Sequence, residues 1–380
     1  MVINMHKPSR FKVDIGFIIT FFIMMLISVI SLYSANNILP SYQTHVFLKQ
    51  LVWFGIGIGL VILIMNLGVD YFYRHARILY IINIILLISV LLWGRDINGA
   101  RAWFEIPLLG SFQPSEFMKI SLILMLTVKI NEFNNMFHQP TIDDELKLIF
   151  SCIMITFIPS LLTFLEPDTG AVIFYLVILF SMLFISGIRK RWFIIGFIII
   201  IIITIIFIGL YFINDHLFIN LFGTNSFYRI DRILNWTNGE AFQLKNAMAS
   251  MGSAGIWGNG LQKIPIYFPE ANTDFIFAVW VSTFGLIGAF ILICSILFFD
   301  FKIINLTSIT NKNLNLYLIA GIISVIIFSQ VINIGMTLGL FPIIGVTLPF
   351  ISYGGSSLLS YMIMLGLILA INNEIYRFTN

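Results

Sequence analysis

Apolar runs of about 20 residues, separated by short polar breaks, repeat along nearly the whole chain. A helix of roughly 20 apolar residues crosses a hydrocarbon core of about 30 Å. The pattern therefore predicts about ten transmembrane helices, near 13–34, 46–67, 72–93, 113–130, 147–165, 168–187, 192–213, 275–299, 314–339 and 352–373. The first run follows Lys7, Arg10 and Lys12. It is longer than a secretory h-region of roughly 7–15 residues and no small-residue cleavage site follows, so it reads as a retained membrane helix. One long polar interval interrupts the rhythm, residues 214–274 between the seventh and eighth spans. The expected fold class is an all-α polytopic integral membrane protein. Residues 1–380 are expected to form one membrane domain, with 1–12 a cytoplasmic segment and 214–274 an extracytoplasmic loop.

Orientation follows from charge. With the N-terminus inside, the short cytoplasmic segments collect Lys7, Arg10, Lys12, Arg74, Arg77, Lys129, Lys147, Arg189, Lys190, Arg191, Lys302, Lys312 and Arg377, most of the 21 basic residues. Basic residues in short loops mark the cytoplasmic side, and both termini come out cytoplasmic. Under this assignment each unusual polar cluster falls on the outer face. These are Asn98 to Trp103 with Gln113 to Lys119, Glu166 to Gly170, the 214–274 loop, and Leu348 to Ser357. A site on that face is the economical explanation.

Composition narrows the classes. The chain is 59% hydrophobic and 10% charged, against about 25% charged in soluble domains. A net charge of +3 without a long basic run excludes a nucleic-acid footprint. Cys152 and Cys294 lie in apolar runs and read as small core hydrophobes. The five histidines are scattered, no spacing resembles a zinc site, and no metal ligands are assigned.

Glu116 and Lys119 share a helix face and can pair. Ionisable groups inside a span suggest function, but a structural ion pair is equally open. Asp168 reads as an N-cap of the sixth span or as part of the site lining. Arg101, Arg229, Arg232, Lys245 and Lys263 stand on the face where basic residues are disfavoured, and arginine suits phosphate because its planar fork binds two oxygens. The glycine-rich run 252–260 offers backbone that can approach a bulky ligand or take positive φ, and it lacks the lysine and hydroxyl of a phosphate loop. Gly354, Gly355, Ser356 and Ser357 let helices pack closely. Ser356 has no base at a suggestive spacing, so it is a candidate contact and not a nucleophile. Asp274 precedes Phe275, Ile276 and Phe277, which would partly desolvate it and raise its pKa toward that of a useful base. An N-cap of the eighth span is the alternative.

These clusters, in this order, resemble the SEDS family (shape, elongation, division and sporulation), which includes RodA, FtsW and SpoVE. The resemblance rests on Asn98-Gly99-Ala100-Arg101-Ala102-Trp103, Gln113-Pro114-Ser115-Glu116, Pro167-Asp168-Thr169-Gly170, Gly258-Asn259-Gly260-Leu261, Pro269-Glu270 with Thr273-Asp274-Phe275, and Leu348 to Ser357. The first of these and the stretch from Phe341 to Phe350 look closer to the RodA branch. The resemblance implies a peptidoglycan glycosyltransferase of the bacterial cytoplasmic membrane that polymerises lipid II on the outer face. It also implies a class B penicillin-binding protein as partner, with lipid II and membrane lipids as the other contacts and no nucleic acid. The family's proposed catalytic aspartate falls on Asp274, and its paired acid and lysine on Glu116 and Lys119. Arg101, Arg229, Arg232, Asp168 and Ser356 complete the expected substrate-binding set. No cofactor is demanded, although a divalent cation (Mg or Mn) could neutralise the leaving pyrophosphate. The chain departs from the family pattern at Asn272, where His is usual, at Val281-Ser282-Thr283, where acids are common, at Asn235 to Asn238, and at Ala102. A catalytically weak scaffold that activates a penicillin-binding protein, and a flippase for the lipid-linked precursor, are the rival readings.

Overall fold

The computed structural model describes residues 13–40, 45–97, 100–106, 110–213, 219 and 242–378. Eleven helices account for most of them: α1 Ile15–Ala35, α2 Val46–Leu67, α3 Val69–Trp93, α4 Pro114–Met136, α5 Ile142–Leu165, α6 Thr169–Ile185, α7 Arg191–Ile213, α8 Phe242–Gly252, α9 Ile276–Ile309, α10 Asn313–Thr337 and α11 Gly355–Phe378. Each of the ten expected spans has its helix, and α8 is an addition of 11 residues. Eight helices are long and apolar enough to cross a membrane. The other two are α4, which carries Glu116, Lys119, Lys129 and Glu132, and α6, of 17 residues. The protein is a multi-pass membrane protein.

Local chemistry sets several helix starts. Asp14 caps α1 by accepting from the Gly16 amide at 2.7 Å. Thr141 and Asp144 form a reciprocal capping box at α5, whose first turn is acidic, as the helix dipole favours. Pro114 opens α4 where its missing N–H costs nothing.

The packing places α10 and α11 at the centre, with 67% and 83% of their spanning windows buried, and leaves α7 outermost with none. α11 packs on α2, α3 on α4, α1 on α9, and α10 on α6. At the cytoplasmic end Lys302 Nζ bonds Asp14 Oδ2 at 2.7 Å, and the Asp14 amide donates to Asn372 Oδ1 at 3.0 Å. Asn134 Nδ2 donates there to the Ser186 carbonyl and the Tyr317 hydroxyl. These ties join chain-distant helices at one end and leave the other end for the polar clusters.

Two features were not in the all-α expectation. Three short strands, β1 Arg95–Ile97, β2 Ala100–Ile106 and β3 Gly110–Phe112, pair antiparallel in the order β1-β2-β3. Asp96 faces Arg101 and Glu105 faces Ser111 across these strands, and Arg95 pairs with Glu105. The second is a break in α9 at Gly285 (φ 63°, ψ −156°). The glycine run fills that break. Asn259 and Gly260 amides donate to the Ser282 and Thr283 carbonyls, and Leu286 and Ile287 amides donate to Gly255 and Ile256 carbonyls, all at 2.9–3.3 Å. A methyl group on Gly258 would lie 2.1 Å from the Thr283 oxygen. Gly258 is therefore needed for close backbone approach to the helix itself, and Gly255, Gly258 and Gly260 take the positive φ that was the sequence's alternative to a ligand contact.

Candidate active site on the outer face

The segment between α10 and α11, residues 338–354, is the spine of the site. Asn333, buried on α10, donates through Nδ2 to the Val346 carbonyl at 2.7 Å and the Asp274 carbonyl at 2.9 Å. Ser352 Oγ donates to the Thr273 carbonyl and accepts from the Leu348 amide, and the Tyr353 amide donates to the Asn272 carbonyl. The carbonyls of Asn272, Thr273 and Asp274 are thus held by the 338–354 loop and by α10.

The Asp274 side chain is partly exposed, beside Phe275, Ile276 and Phe277, which are almost fully buried. It does not cap α9: the N-cap is Phe275, without a side-chain cap bond. Among the described residues no donor is hydrogen-bonded to its carboxylate. Apolar surroundings, and secondarily the charge of Glu270, push its pKa up to about 7. Glu270 takes a positive φ of 54° and is held by Thr273 Oγ1 at 2.8 Å.

A second cluster lies along the same spine. Glu116 Oε2 and Lys119 Nζ are 2.8 Å apart, with the lysine 1% exposed. The ammonium stands 4.5 Å from the Phe174 ring centre and 5.5 Å from that of Tyr361, an arrangement that suits a cation. Tyr361 is bonded to Ser329 and to Thr347, a residue of the spine. Asp168 caps α6 through the Ala171 amide at 3.0 Å, and its other oxygen accepts from Gln113 Nε2 at 2.8 Å and Ser115 Oγ at 3.2 Å. Burial foremost raises its pKa. Ser356 Oγ accepts from the Gln113 amide and donates to the Ser111 carbonyl, which ties β3 to the start of α11.

Gly170 and Gly345 show how close the two clusters come. A methyl on Gly170 would lie 3.3 Å from the Ile344 carbonyl, and one on Gly345 would lie 3.6 Å from Asp274 Oδ2. Residues 344–345 therefore lie close both to the start of α6 and to the Asp274 carboxylate, so the two acidic centres share one short stretch of the spine.

The expected residues thus divide. Glu116, Lys119, Asp168 and Ser356 form one connected cluster, and Asp274 faces the same spine. Arg101 stands exposed on β2; among the described residues no hydrogen bond or ion pair joins it to Asp274, Asp168 or Glu116. Arg229 and Arg232 lie outside the described residues. The sequence reading passed over Asn333, Gln113, Glu270 and Glu166 as site residues. Gln113, Glu270 and Glu166 stood inside quoted motifs, but nothing along the chain marks Asn333. A cavity of about 310 Å³ lined by Phe133, Phe137, His138 and Gly187 lies at the opposite, cytoplasmic end and touches none of these groups.

Of the departures from the family pattern, Asn235 to Asn238 lie outside the described residues, and Ala102, Asn272 and Val281-Ser282-Thr283 are buried. Asn272 is buried and offers its carbonyl to Tyr353. Ser282 shares a hydrogen bond with Ser250, and Thr283 with Ser34.

Comparison with known proteins agrees with this architecture. A family model described as cell cycle protein, FtsW/RodA/SpoVE, matches residues 14–377. The chain is 30% identical over 370 residues to a protein of Thiomicrospira cyclica named "Probable peptidoglycan glycosyltransferase FtsW", covering 94% of this chain and 89% of that one. It is 30% identical over 377 residues to stage V sporulation protein E of Bacillus subtilis, covering 94% and 96%. A solved chain described under "Structural coordination of polymerization and crosslinking by a peptidoglycan synthase complex" superposes with a TM-score of 0.78 at 25% identity, covering 96% of this chain and 99% of that one. The rod shape determining protein RodA of Thermus thermophilus shares the fold, with a TM-score of 0.69 at 24% identity over 97% and 99% of the two chains. Eight helices long and apolar enough to cross a membrane, α4 and α6 in their expected places among them, and a family match along residues 14–377 have one reading: the chain belongs to the FtsW/RodA/SpoVE cell cycle protein family, the SEDS family its motifs resemble.

Proposed function

We propose that the protein is a peptidoglycan glycosyltransferase that polymerises lipid II into glycan strands at the outer face of the bacterial cytoplasmic membrane, with Asp274 as general base. The observation that carries this reading is the Asp274 carboxyl: partly exposed, uncapped, with its backbone clamped and a pKa of about 7. A base is most effective when its pKa lies near the working pH.

The reaction is a direct displacement. Asp274 takes the proton of the sugar 4-hydroxyl on the acceptor, and that oxygen forms a bond to the anomeric carbon of the donor. The bond from that carbon to the pyrophosphate oxygen breaks, and the lipid pyrophosphate leaves with the electron pair. One base suffices for this inversion. Arg101, Arg229 and Arg232 are the candidates to neutralise the leaving pyrophosphate, while Glu116, Lys119, Asp168 and Ser356 form another wall of the substrate site. Among the described residues no three of His, Cys, Asp and Glu converge to hold a metal ion, and no step is routed through one.

The solved relative described as coordinating polymerization and crosslinking supports a class B penicillin-binding protein as partner. The RodA-like branch rests on the 98–103 and 341–350 stretches alone, since matched proteins carry all three family names. A broken helix such as α9 would serve the flippase reading if the break were open to a substrate, since transporters place substrates at helix breaks. Here the break is filled by the backbone of residues 255–260, which supports the enzyme instead. Purified protein supplied with lipid II, with and without a penicillin-binding protein, tests the proposal: glycan strands are expected from the wild type and not from Asp274→Ala, and equal rates from both would end it.

A further inference from the structure

Glu166 is the C-cap residue of α5 and is fully buried. Among the described residues neither of its carboxyl oxygens has a hydrogen-bond partner. An ionised carboxylate in that position carries a desolvation cost that nothing offsets. Two residues on, Asp168 is in the opposite condition, accepting from Gln113, Ser115 and the Ala171 amide, with the Lys119 ammonium also acting on it. Two neighbouring acids so unequally supplied with donors divide one proton unequally.

We infer that Glu166 carries that proton as a neutral carboxylic acid and serves as a positioning residue, leaving Asp168 the single anion of the α5–α6 turn and so preserving its bonds to Gln113 and Ser115. These bonds hold the start of α4, where Glu116 and Lys119 sit, and through Gln113 they hold Ser356. The groups that face Glu166 agree with this division. Asp168 on its own turn repels its charge. From α6 comes Tyr175, whose hydroxyl donates to the Ser115 carbonyl. From α4, Glu116 and Lys119 act on Glu166's neighbour Asp168. Burial, with Asp168 second, pushes the Glu166 carboxyl up to about 8. The folded-state value lies above the ordinary glutamate value. The fold is therefore favoured while the proton is bound and loses that advantage as pH rises toward and through about 8. The inference rests on the proposed function only for its kinetic readout.

The experiment has two arms on purified full-length protein. In the first, infrared titration follows the carbonyl stretch of protonated carboxyl groups. The wild type is expected to hold a band that titrates near 8; Glu166→Gln removes it, Asp168→Asn keeps it with a lower midpoint, and Asp274→Asn keeps it. A band lost in Asp168→Asn but kept in Glu166→Gln, or absent from the wild type at neutral pH, overturns the inference. So does its removal at neutral pH by millimolar magnesium, which would make the acid pair a cation site. In the second arm the ratio of the polymerisation rate at about pH 9 to that at about pH 7 is measured, whatever the absolute rates. It is expected to rise several-fold in Glu166→Gln over the wild type, and an unchanged ratio overturns the inference. A wild type without polymerase activity would count against the proposed function while the infrared arm still decides on Glu166.

Discussion

Asn333 and Asp274 are joined by a single hydrogen bond, from the amide nitrogen of one to the backbone carbonyl of the other, at 2.9 Å. The same nitrogen also holds the Val346 carbonyl. One buried side chain on α10 therefore sets where the candidate base stands relative to the loop that it shares with Asp168.

Asn333→Ala is expected to leave two carbonyls without this donor, and losing such a partner costs roughly 1–3 kcal/mol. The change falls on position and not on the chemistry of the carboxyl. Turnover should drop about 10- to 100-fold with the apparent pKa of the rate little altered. Steady-state rates across pH check this, and a shifted pKa with normal turnover would contradict it.

Asp274 is protonated below its pKa of about 7 and is then unable to accept the hydroxyl proton. The rate is expected to fall about tenfold for each pH unit below that value, and above it to hold until the Glu166 carboxyl loses its proton near 8. Above that pH Asp274→Asn should lose roughly 10²–10⁴-fold, with the deficit narrowing as the wild-type carboxyl is protonated at lower pH. The pH–rate profile of lipid II polymerisation tests both statements.

Breaking the buried Glu116–Lys119 pair by removing one partner is expected to destabilise by about 3–5 kcal/mol, and the double change to Ala by less than the sum. Exchanging the two residues should not restore stability, because Phe174 and Tyr361 present ring faces to position 119. These faces attract an ammonium and not a carboxylate. Thermal unfolding in detergent of the four variants is the measurement.

Gly285→Ala would bring a methyl group within 2.4 Å of the Ile256 carbonyl at a φ of 63°, and Gly258→Ala would meet Thr283 at a φ of 85°. Each should lower the unfolding temperature, and the pair should be non-additive because both act on one contact. An additive loss would mean that the glycine loop and the helix break are separate features.

The succession of apolar helices in a multi-pass membrane fold follows from the order of residues alone, because length and hydropathy set a span. The acid–lysine pair was legible too, since three residues along a helix return to one face. So was the Asp168 cap, which depends only on the amides next to it. Packing decided the rest. Whether Asp274 caps its helix or stands free depends on where α9 begins. The task of the glycine run depends on a break many residues away. Asn333 gains its importance, and Glu166 its want of a partner, only when α5, α6, α10 and the 338–354 segment close together. A side chain's neighbours within one helix are written in the chain; its neighbours across helices, and with them its solvation and charge, exist only once the bundle has formed.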